Sequence, residues 1–147
     1  MNAMTSAREV AGVLGIVGKA KSYTALDLDD AVRRGLHVDT LDRVVRLLSP
    51  DDLGLRHLMV PKATLARRAK SPEGRLSPEE SDRVVRLARI WRMALDCWKD
   101  EAAAREFLTR RHMLLNGRTP LDVATGSETG AGEVERIIGR LVHGIAV

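Results

Sequence analysis

The strongest structural signal in this 147-residue sequence is a long amphipathic helix that begins at Ser77. The run Ser77-Pro78-Glu79-Glu80 combines a capping hydroxyl, a proline at the first helical position and a glutamate at the third. Apolar side chains then recur at steps of three and four residues, which is the spacing of one helical face. They are Val84, Leu87, Ala88, Trp91, Ala94, Leu95 and Trp98. A helix of about 20 residues is roughly 30 Å long, so we expect it to be the central helix.

Composition favours packing this helix against other helices. Hydrophobic residues make up 44% of the chain and aromatic residues only 3%, whereas sheets usually draw on aromatic and β-branched side chains. We therefore predict an all-α protein, with both tryptophans as core or dimer contacts. The single cysteine, Cys97, cannot form an intramolecular disulfide and fits a reducing compartment. Neither a signal peptide nor a membrane span is expected, so we predict a cytoplasmic protein.

Shorter helices are predicted on both sides of the central one. Before it, the patterns predict a capping box at Ser6, a helix capped by Asp27 that stops at Gly35, and a helix started by Asp39. Another is predicted to start at Ser49-Pro50. After the central helix, one is predicted from Asp100 to about Arg110, and a final one follows a break at Gly130-Ala131-Gly132.

Positive charge is concentrated in one segment. The chain carries a net charge of +4, yet residues 56–75 alone hold six Lys or Arg residues against one acidic residue, Glu73. Residues 76–147 are neutral overall. A local basic patch can bind phosphates, but a solvated helix face has the same composition, so charge leaves both interpretations open.

The same segment has the order of a helix-turn-helix. A short helix is followed by the tight apolar connection Leu58-Met59-Val60, and then by a helix that starts at Pro61 and runs to about Lys70. The second helix of such a motif presents its N-terminal residues to base edges and its basic groups to phosphates. The candidate DNA-binding residues are Lys62, Thr64, Arg67 and Arg68. The turn lacks the glycine often found in this motif, and many helix pairs without DNA partners share the pattern.

A second candidate element is the connection Leu115–Asp122. Asn116 and Gly117 both tolerate positive φ and indicate a turn, while Thr119-Pro120 indicates a helix start with Asp122 at the third position. Arg118 lies between these two signals. It either bonds helix-end carbonyl groups or orders a surface that contacts another protein.

The chain resembles the Xre/MbcA/ParS-type antitoxins. The resemblance is clearest over Leu76–Gly144, and its residues are the central helix, Phe107-Leu108, the connection Leu115–Asp122 and the closing segment Arg140–Gly144. The first half resembles the Xre-like helix-turn-helix of the same antitoxins more weakly, with Val60–Lys70 as the recognition element.

This resemblance implies a molecule with two functional parts. Residues 1–75 would form an Xre-like DNA-binding domain that represses its own operon as a homodimer, and residues 76–147 a helical domain that covers the active site of a cognate RES-domain toxin. Such toxins consume NAD or transfer ADP-ribose from it, and they form larger hetero-oligomers with the antitoxin. The antitoxin itself would bind no NAD and catalyse nothing. Residues implied to approach the toxin are Asn116, Gly117, Arg118, His143, Gly144 and the terminal Val147.

The residues also bear on other functions. An enzyme is not expected, because no nucleophile has a nearby base and no glycine-rich loop follows a strand. A metal site is not expected, because His37, His57, His112 and His143 have no partner at ligand spacing. A stand-alone helix-turn-helix regulator, and a toxin-binding antitoxin with a degenerate DNA-binding half, both stay open.

Overall fold

The computed structural model describes residues 5–19 and 21–144, and these residues form helices joined by short connections. The prediction of an all-α protein is confirmed. The helices are α1 (Ala7–Leu14), α2 (Ala25–Arg34), α3 (Val38–Leu48), α4 (Leu55–Met59), α5 (Lys62–Lys70), α6 (Pro78–Trp98), α7 (Glu101–Thr109), α8 (Pro120–Gly126) and α9 (Glu128–Val142). A 3-10 turn spans Met113–Leu115.

The chain forms two compact units, and the division between them falls inside α6. The first unit is Ser6–Ala88, and the second comprises the remainder of α6 from Arg89 together with α7, α8 and α9. Each unit is described separately below.

The core of the first unit is built around α3. Helix α1 packs against α2 and α3, and α3 packs against α4 and α5. The inward side chains recur at helical spacing, so they form one apolar stripe on each helix. Fully buried examples are Leu41, Val44, Val45, Met59, Val60, Val84 and Leu87.

The core of the second unit lies around Trp91, which is only 2% exposed. The Arg105 guanidinium lies 5.5 Å from the centre of the Trp91 ring, at a distance typical of a cation–π contact. Helix α8 packs against α7 and α9, and Arg89 of α6 binds Glu135 of α9 with an Nε to Oε1 distance of 2.5 Å. Trp98 does not share the burial of Trp91, because it is 40% exposed. Trp91 is therefore confirmed as a core residue, whereas Trp98 is not part of this core and its other predicted role, a dimer contact, stays a prediction.

Several predicted helix starts are confirmed in atomic detail. Ser6 and Glu9 form a capping box at α1. Ser77 and Glu80 form one at α6, where the Ser77 N–H donates to Glu80 Oε1 at 2.8 Å and the Glu80 N–H donates to Ser77 Oγ at 3.1 Å. Thr119 caps α8 by accepting from the Asp122 N–H. These motifs were readable from the sequence because they satisfy helix-end amides within three residues of chain.

Two predicted caps are wrong. Thr24, not Asp27, caps α2, and Asp27 is the third helical residue that completes the capping box. His37, not Asp39, caps α3 through its Nδ1 atom. His37 is extended because it forms an antiparallel bridge with Arg75. In this bridge the Val38 N–H donates to the Gly74 carbonyl at 2.8 Å.

Two predicted boundaries are also wrong. Helix α4 starts at Leu55 rather than after Ser49-Pro50, since Asp52 accepts a hydrogen bond from the Gly54 N–H and stabilises a turn there. Helix α9 runs through Gly130 and Gly132 instead of starting after them. Glycine weakens a helix but does not prevent one from forming. At position 130 a glycine is favoured because the Val123 carbonyl oxygen of α8 approaches too closely for a side chain.

Substitutions at Gly130 and Gly132 of α9 should have opposite effects on stability. A Cβ at Gly130 would collide with the Val123 carbonyl oxygen of α8, whereas a Cβ at Gly132 would meet nothing within 4 Å. We expect Gly130→Ala to lower the free energy of unfolding by about 1–3 kcal/mol. Gly132→Ala should raise it by about 0.5–1 kcal/mol, since alanine is the better helix former. Urea unfolding followed by circular dichroism measures both, and equal effects would contradict the packing of α8 on α9.

Candidate nucleic-acid interface and protein-binding surface

Helices α4 and α5 are joined by an apolar turn that the core holds in place. Met59 is 1% exposed and Val60 is fully buried. Val60 has a φ of −139° and a ψ of 124°, an extended conformation that any residue can adopt. The turn therefore requires no residue of positive φ, which explains why its sequence lacks glycine.

The first turns of α6 hold both helices of this pair. The Arg83 Nη1 group donates to the Met59 carbonyl at the end of α4 at 3.0 Å. Glu80 binds Arg68 of α5, with Nε to Oε1 at 2.6 Å and Nη2 to Oε2 at 3.3 Å. The Glu80 side chain is 10% exposed and the Arg68 side chain 27%. Sequence reasoning missed Glu80 and Arg83, because nothing in a helical pattern identifies a distant partner.

The pKa of Glu80 lies below its ordinary value despite the carboxyl's burial. Burial raises this pKa by disfavouring the charged form. The Ser77 N–H, the Arg68 hydrogen bond and the Arg68 charge lower it, and together they outweigh burial. The carboxylate is therefore ionised in the native state at neutral pH.

The four predicted DNA-binding residues have different surroundings on α5. Lys62 and Arg67 are exposed, Thr64 is half-buried, and Arg68 is half-buried in its pair with Glu80. No acidic residue among those described pairs with Lys62 or Arg67. The structure thus brings Lys62 and Arg67 to the free surface of one helix and gives Arg68 an intramolecular partner.

Other cations of the basic segment are also engaged within the unit. Arg56 pairs with Asp42 at 3.4 Å. Arg75 donates to the Gly35 carbonyl at 2.8 Å and lies 3.8 Å from Glu73. Counting charges along the sequence therefore overstates the basic surface that is available to a phosphate backbone.

In the second unit, the segment from His112 to Arg118 forms a closed loop. His112 and Arg118 form an isolated antiparallel bridge, with the His112 N–H donating to the Arg118 carbonyl at 3.0 Å. The Gly117 N–H also donates to the His112 carbonyl at 3.0 Å. Asn116 and Gly117 have φ values of 56° and 78°, which confirms the turn predicted from their types. We call this segment the 112–118 loop.

Two arginines are tied to the backbone of the 112–118 loop. Arg118 Nε donates to the Leu115 carbonyl at 3.2 Å, and Arg111 Nη1 donates to the Gly117 carbonyl at 3.4 Å. Both side chains belong to exposed residues, and neither pairs with a carboxylate in the described part of the chain. Arg118 thus bonds a helix-end carbonyl, as one interpretation predicted. In the described part of the chain, the side-chain hydrogen bond of Arg118 is the one made by Nε.

The tip of the 112–118 loop is apolar and exposed. Met113 is 93% exposed and Leu114 is 50% exposed, whereas Leu115 is 3% exposed and anchors the loop. Sequence reasoning missed Met113 and Leu114 as site residues, because a run of three apolar residues does not reveal which one enters the core.

A cavity of about 480 Å³ lies beside this loop and contains two of the predicted toxin-binding residues. Asn116 and Arg118 line it from the loop, Asp122 and Gly126 from α8, and Glu133 from α9. Gly117 supports the turn and does not line the cavity. His143 and Gly144 are exposed at the end of α9 and do not line it either. Val147 lies outside the described residues.

Comparison with known proteins identifies both units. A family described as the antitoxin Xre-like helix-turn-helix domain matches residues 27–89. The antitoxin Xre/MbcA/ParS C-terminal toxin-binding domain matches residues 93–144. A curated protein named antitoxin Xre, from Yersinia enterocolitica serotype O:8 / biotype 1B, is 36% identical over 120 residues, which is 80% of each chain.

A helix-turn-helix domain followed by a toxin-binding domain defines a DNA-binding antitoxin. The chain belongs to the Xre antitoxin family. Both parts of the resemblance inferred from sequence are confirmed at this level. Among the described helices, none is long and apolar enough to cross a membrane.

Replacing Glu80 should weaken the first unit in a pH-dependent way. We expect Glu80→Gln to lower the free energy of unfolding by about 1–3 kcal/mol at pH 7, because it leaves Arg68 without its charged partner. The pKa of Glu80 is lowered by folding, so the stability it contributes is present above the ordinary value of 4.5. It is lost as the pH falls through the lower, folded-state pKa. The difference between variant and wild type should therefore shrink in that window.

Glu79→Gln is the matched control, since it removes the same charge from the neighbouring exposed position. Urea unfolding at pH 7 and at several values below 4.5 measures the effect. A Glu80→Gln deficit that equals the Glu79→Gln deficit, or that is independent of pH, would contradict the stabilising role of the Arg68–Glu80 pair.

Proposed function

We propose that this chain neutralises a cognate RES-domain, NAD-consuming toxin by covering its active site, and that it represses its own operon as a DNA-bound dimer. Membership in the Xre family supports a toxin and DNA as the two partner classes. In this proposal residues 1–75 serve DNA binding and residues 76–147 serve toxin binding. The chain itself catalyses nothing and binds no NAD.

The 112–118 loop is the observation that carries the toxin half of the proposal. It lies within the region matched by the toxin-binding family, and it is closed by its own backbone hydrogen bonds, so little conformational entropy is lost when it binds. Its exposed methionine and arginine are residue types that are enriched at protein interfaces relative to the rest of the surface.

Arg118 suits an approach to a site that binds NAD. Its guanidinium carries a permanent charge and can donate to a carboxylate or a phosphate. In the toxin's active site it would compete with the charged partners of the cofactor. Asn116 lines the same cavity of the antitoxin as Arg118. His143 and Gly144 would provide a second contact region at the end of α9. The contact proposed for Val147 lies beyond the described residues.

The DNA half of the proposal depends on α5. Lys62 and Arg67 would neutralise phosphates, and Thr64 would lie at the groove near the start of the helix. Arg68 contributes here by fixing α5 to α6, and it reaches DNA only if it leaves Glu80.

A toxin-binding antitoxin with a degenerate DNA-binding half is the second candidate. One observation favours it: Arg56, Arg68 and Arg75 have partners within the unit, so few cations of the basic segment are free for phosphates. Each free cation that contacts a phosphate contributes to the salt dependence of binding. A stand-alone regulator is less well supported, because the second domain belongs to a toxin-binding family.

Removing Lys62 and Arg67, two of the exposed cations of α5, should weaken DNA binding alone. We expect the double variant Lys62→Ala/Arg67→Ala to bind its operator less tightly, with the slope of log affinity against log salt falling by about 0.9 per lost phosphate contact. Fluorescence anisotropy over a salt series measures this slope. Arg140→Ala, which removes an exposed positive charge in the second unit, should leave the slope unchanged. A wild-type protein without measurable, salt-dependent operator binding would instead support the degenerate alternative.

Truncating exposed side chains of the 112–118 loop should weaken toxin binding. We expect Met113→Ala and Arg118→Ala each to lower the affinity for the toxin roughly 30-fold, as truncation at an interface centre does. Leu26→Ala is the matched control, because Leu26 is 74% exposed but lies in the first unit. Calorimetric titration with an inactivated toxin measures affinity. Protection of NAD from the active toxin tests the toxin's proposed chemistry.

If Leu26→Ala weakened toxin binding as much as Met113→Ala, the placement of the interface would be wrong. If the toxin bound the chain but consumed no NAD, the antitoxin function would stand and the RES assignment would fail.

A further inference from the structure

A second cavity of about 340 Å³ opens between the end of α6, α7 and the last turn of α9. Its apolar lining consists of Trp98, Ala103, Phe107 and Leu141, and His112 closes one side. We call it the aromatic groove. We propose that the aromatic groove binds an apolar side chain of the toxin, in addition to the contacts made by the 112–118 loop. This inference rests on the proposed toxin-binding function and deepens it.

Three rings form the wall of the aromatic groove. The Trp98 and Phe107 ring centres are 5.8 Å apart with an interplanar angle of 40°, and those of Phe107 and His112 are 6.3 Å apart at 75°. These are favourable tilted and edge-on arrangements, so the wall is preformed. Trp98 nevertheless keeps 40% of its surface exposed. A large aromatic side chain left open beside a concave apolar surface is typical of an interaction site.

The charges at the rim favour an apolar occupant over an ionic ligand. Glu106 and Arg110 are the charged residues that line the groove, and they pair with each other one helical turn apart. Their charges compensate, so the groove offers no net attraction to a charged small molecule. The free energy available to an occupant is that of removing apolar surface from water.

The position of the groove identifies the toxin as the occupant. His112 is both a wall of the groove and the first residue of the 112–118 loop. Leu141 lies in the last turn of α9, directly before the exposed Val142 and His143. The groove therefore joins the two segments that are proposed to face the toxin, and all its lining residues lie within the matched toxin-binding domain. One continuous surface then contacts one partner.

Filling the groove from Ala103 tests this inference without deleting a native side chain. Ala103 is half-buried and lines the groove, whereas its neighbour Ala102 is exposed and does not. We expect Ala103→Phe in the full-length chain to lower the affinity for the toxin roughly 30-fold, and Ala102→Phe to leave it unchanged. The probe is a catalytically inactivated product of the adjacent toxin gene, titrated by calorimetry. Thermal unfolding midpoints of both variants that equal the wild-type midpoint show that the fold is intact.

A direct readout comes from Trp98 itself. With 5-fluorotryptophan in the antitoxin, two 19F resonances are expected, and Trp98→Phe assigns them. The resonance of Trp98 should shift when the toxin binds, while that of the buried Trp91 should move little.

The outcomes separate this inference from the function on which it rests. If the wild type binds the toxin and Ala103→Phe binds equally tightly, the groove is not a docking site, although the antitoxin function stands. If the wild type does not bind the toxin at all, the proposed function fails and the inference fails with it. If the Trp98 resonance shifts with antitoxin concentration alone, and sedimentation shows self-association that Ala103→Phe abolishes, the occupant is a second copy and the inference is overturned.

Discussion

The carboxylate of Glu80 is the constraint on which the helix-turn-helix depends. It accepts from the Ser77 N–H and thereby completes the start of α6, and it binds the guanidinium of Arg68 on α5. One side chain thus couples the initiation of the longest helix to the orientation of the predicted recognition helix. A buried carboxylate is costly unless it is paired and hydrogen-bonded, so this arrangement is specific: moving α5 away would leave a charge without its partner.

The neighbouring residues of α6 extend the same principle. Ser81 accepts from the Leu36 N–H at 2.8 Å in the buried connection between α2 and α3. Arg83 satisfies the Met59 carbonyl at the end of α4. Polar side chains from the first turns of α6 therefore hold the α2–α3 connection, the end of α4 and helix α5. Polar contacts of this kind add geometric precision to the apolar packing behind them, because hydrogen bonds require particular distances and angles.

Arginines stabilise the fold in both units, through pairs such as Arg68–Glu80 and Arg89–Glu135, and the units differ in which arginines are left for a partner. In the first unit, half of the cations in the basic segment stabilise the fold by binding a carboxylate or a carbonyl group, so only some are left for a phosphate backbone. In the second unit, Arg111 and Arg118 are tied to carbonyl groups of the 112–118 loop and have no described carboxylate beside them. An arginine that is already oriented loses less entropy when it binds a partner. The apolar tip and the tethered arginines belong to the 112–118 loop and its neighbour Arg111, and His112 connects this loop to the aromatic groove.

The sequence by itself determined the features that depend on a few neighbouring residues. The all-α class, the capping boxes at Ser6 and Ser77, the start of α8 and the positive-φ turn at Asn116-Gly117 all follow from local hydrogen bonding and periodic burial. Only the tertiary structure decided the cap of α3 by His37 and the passage of α9 through Gly130. It also decided the pairing of Arg68 and the exposure of Met113 and Trp98. Each of these depends on atoms far away in the chain, such as the Gly74 carbonyl or the Glu80 carboxylate, and local pattern carries no information about which distant group will be near.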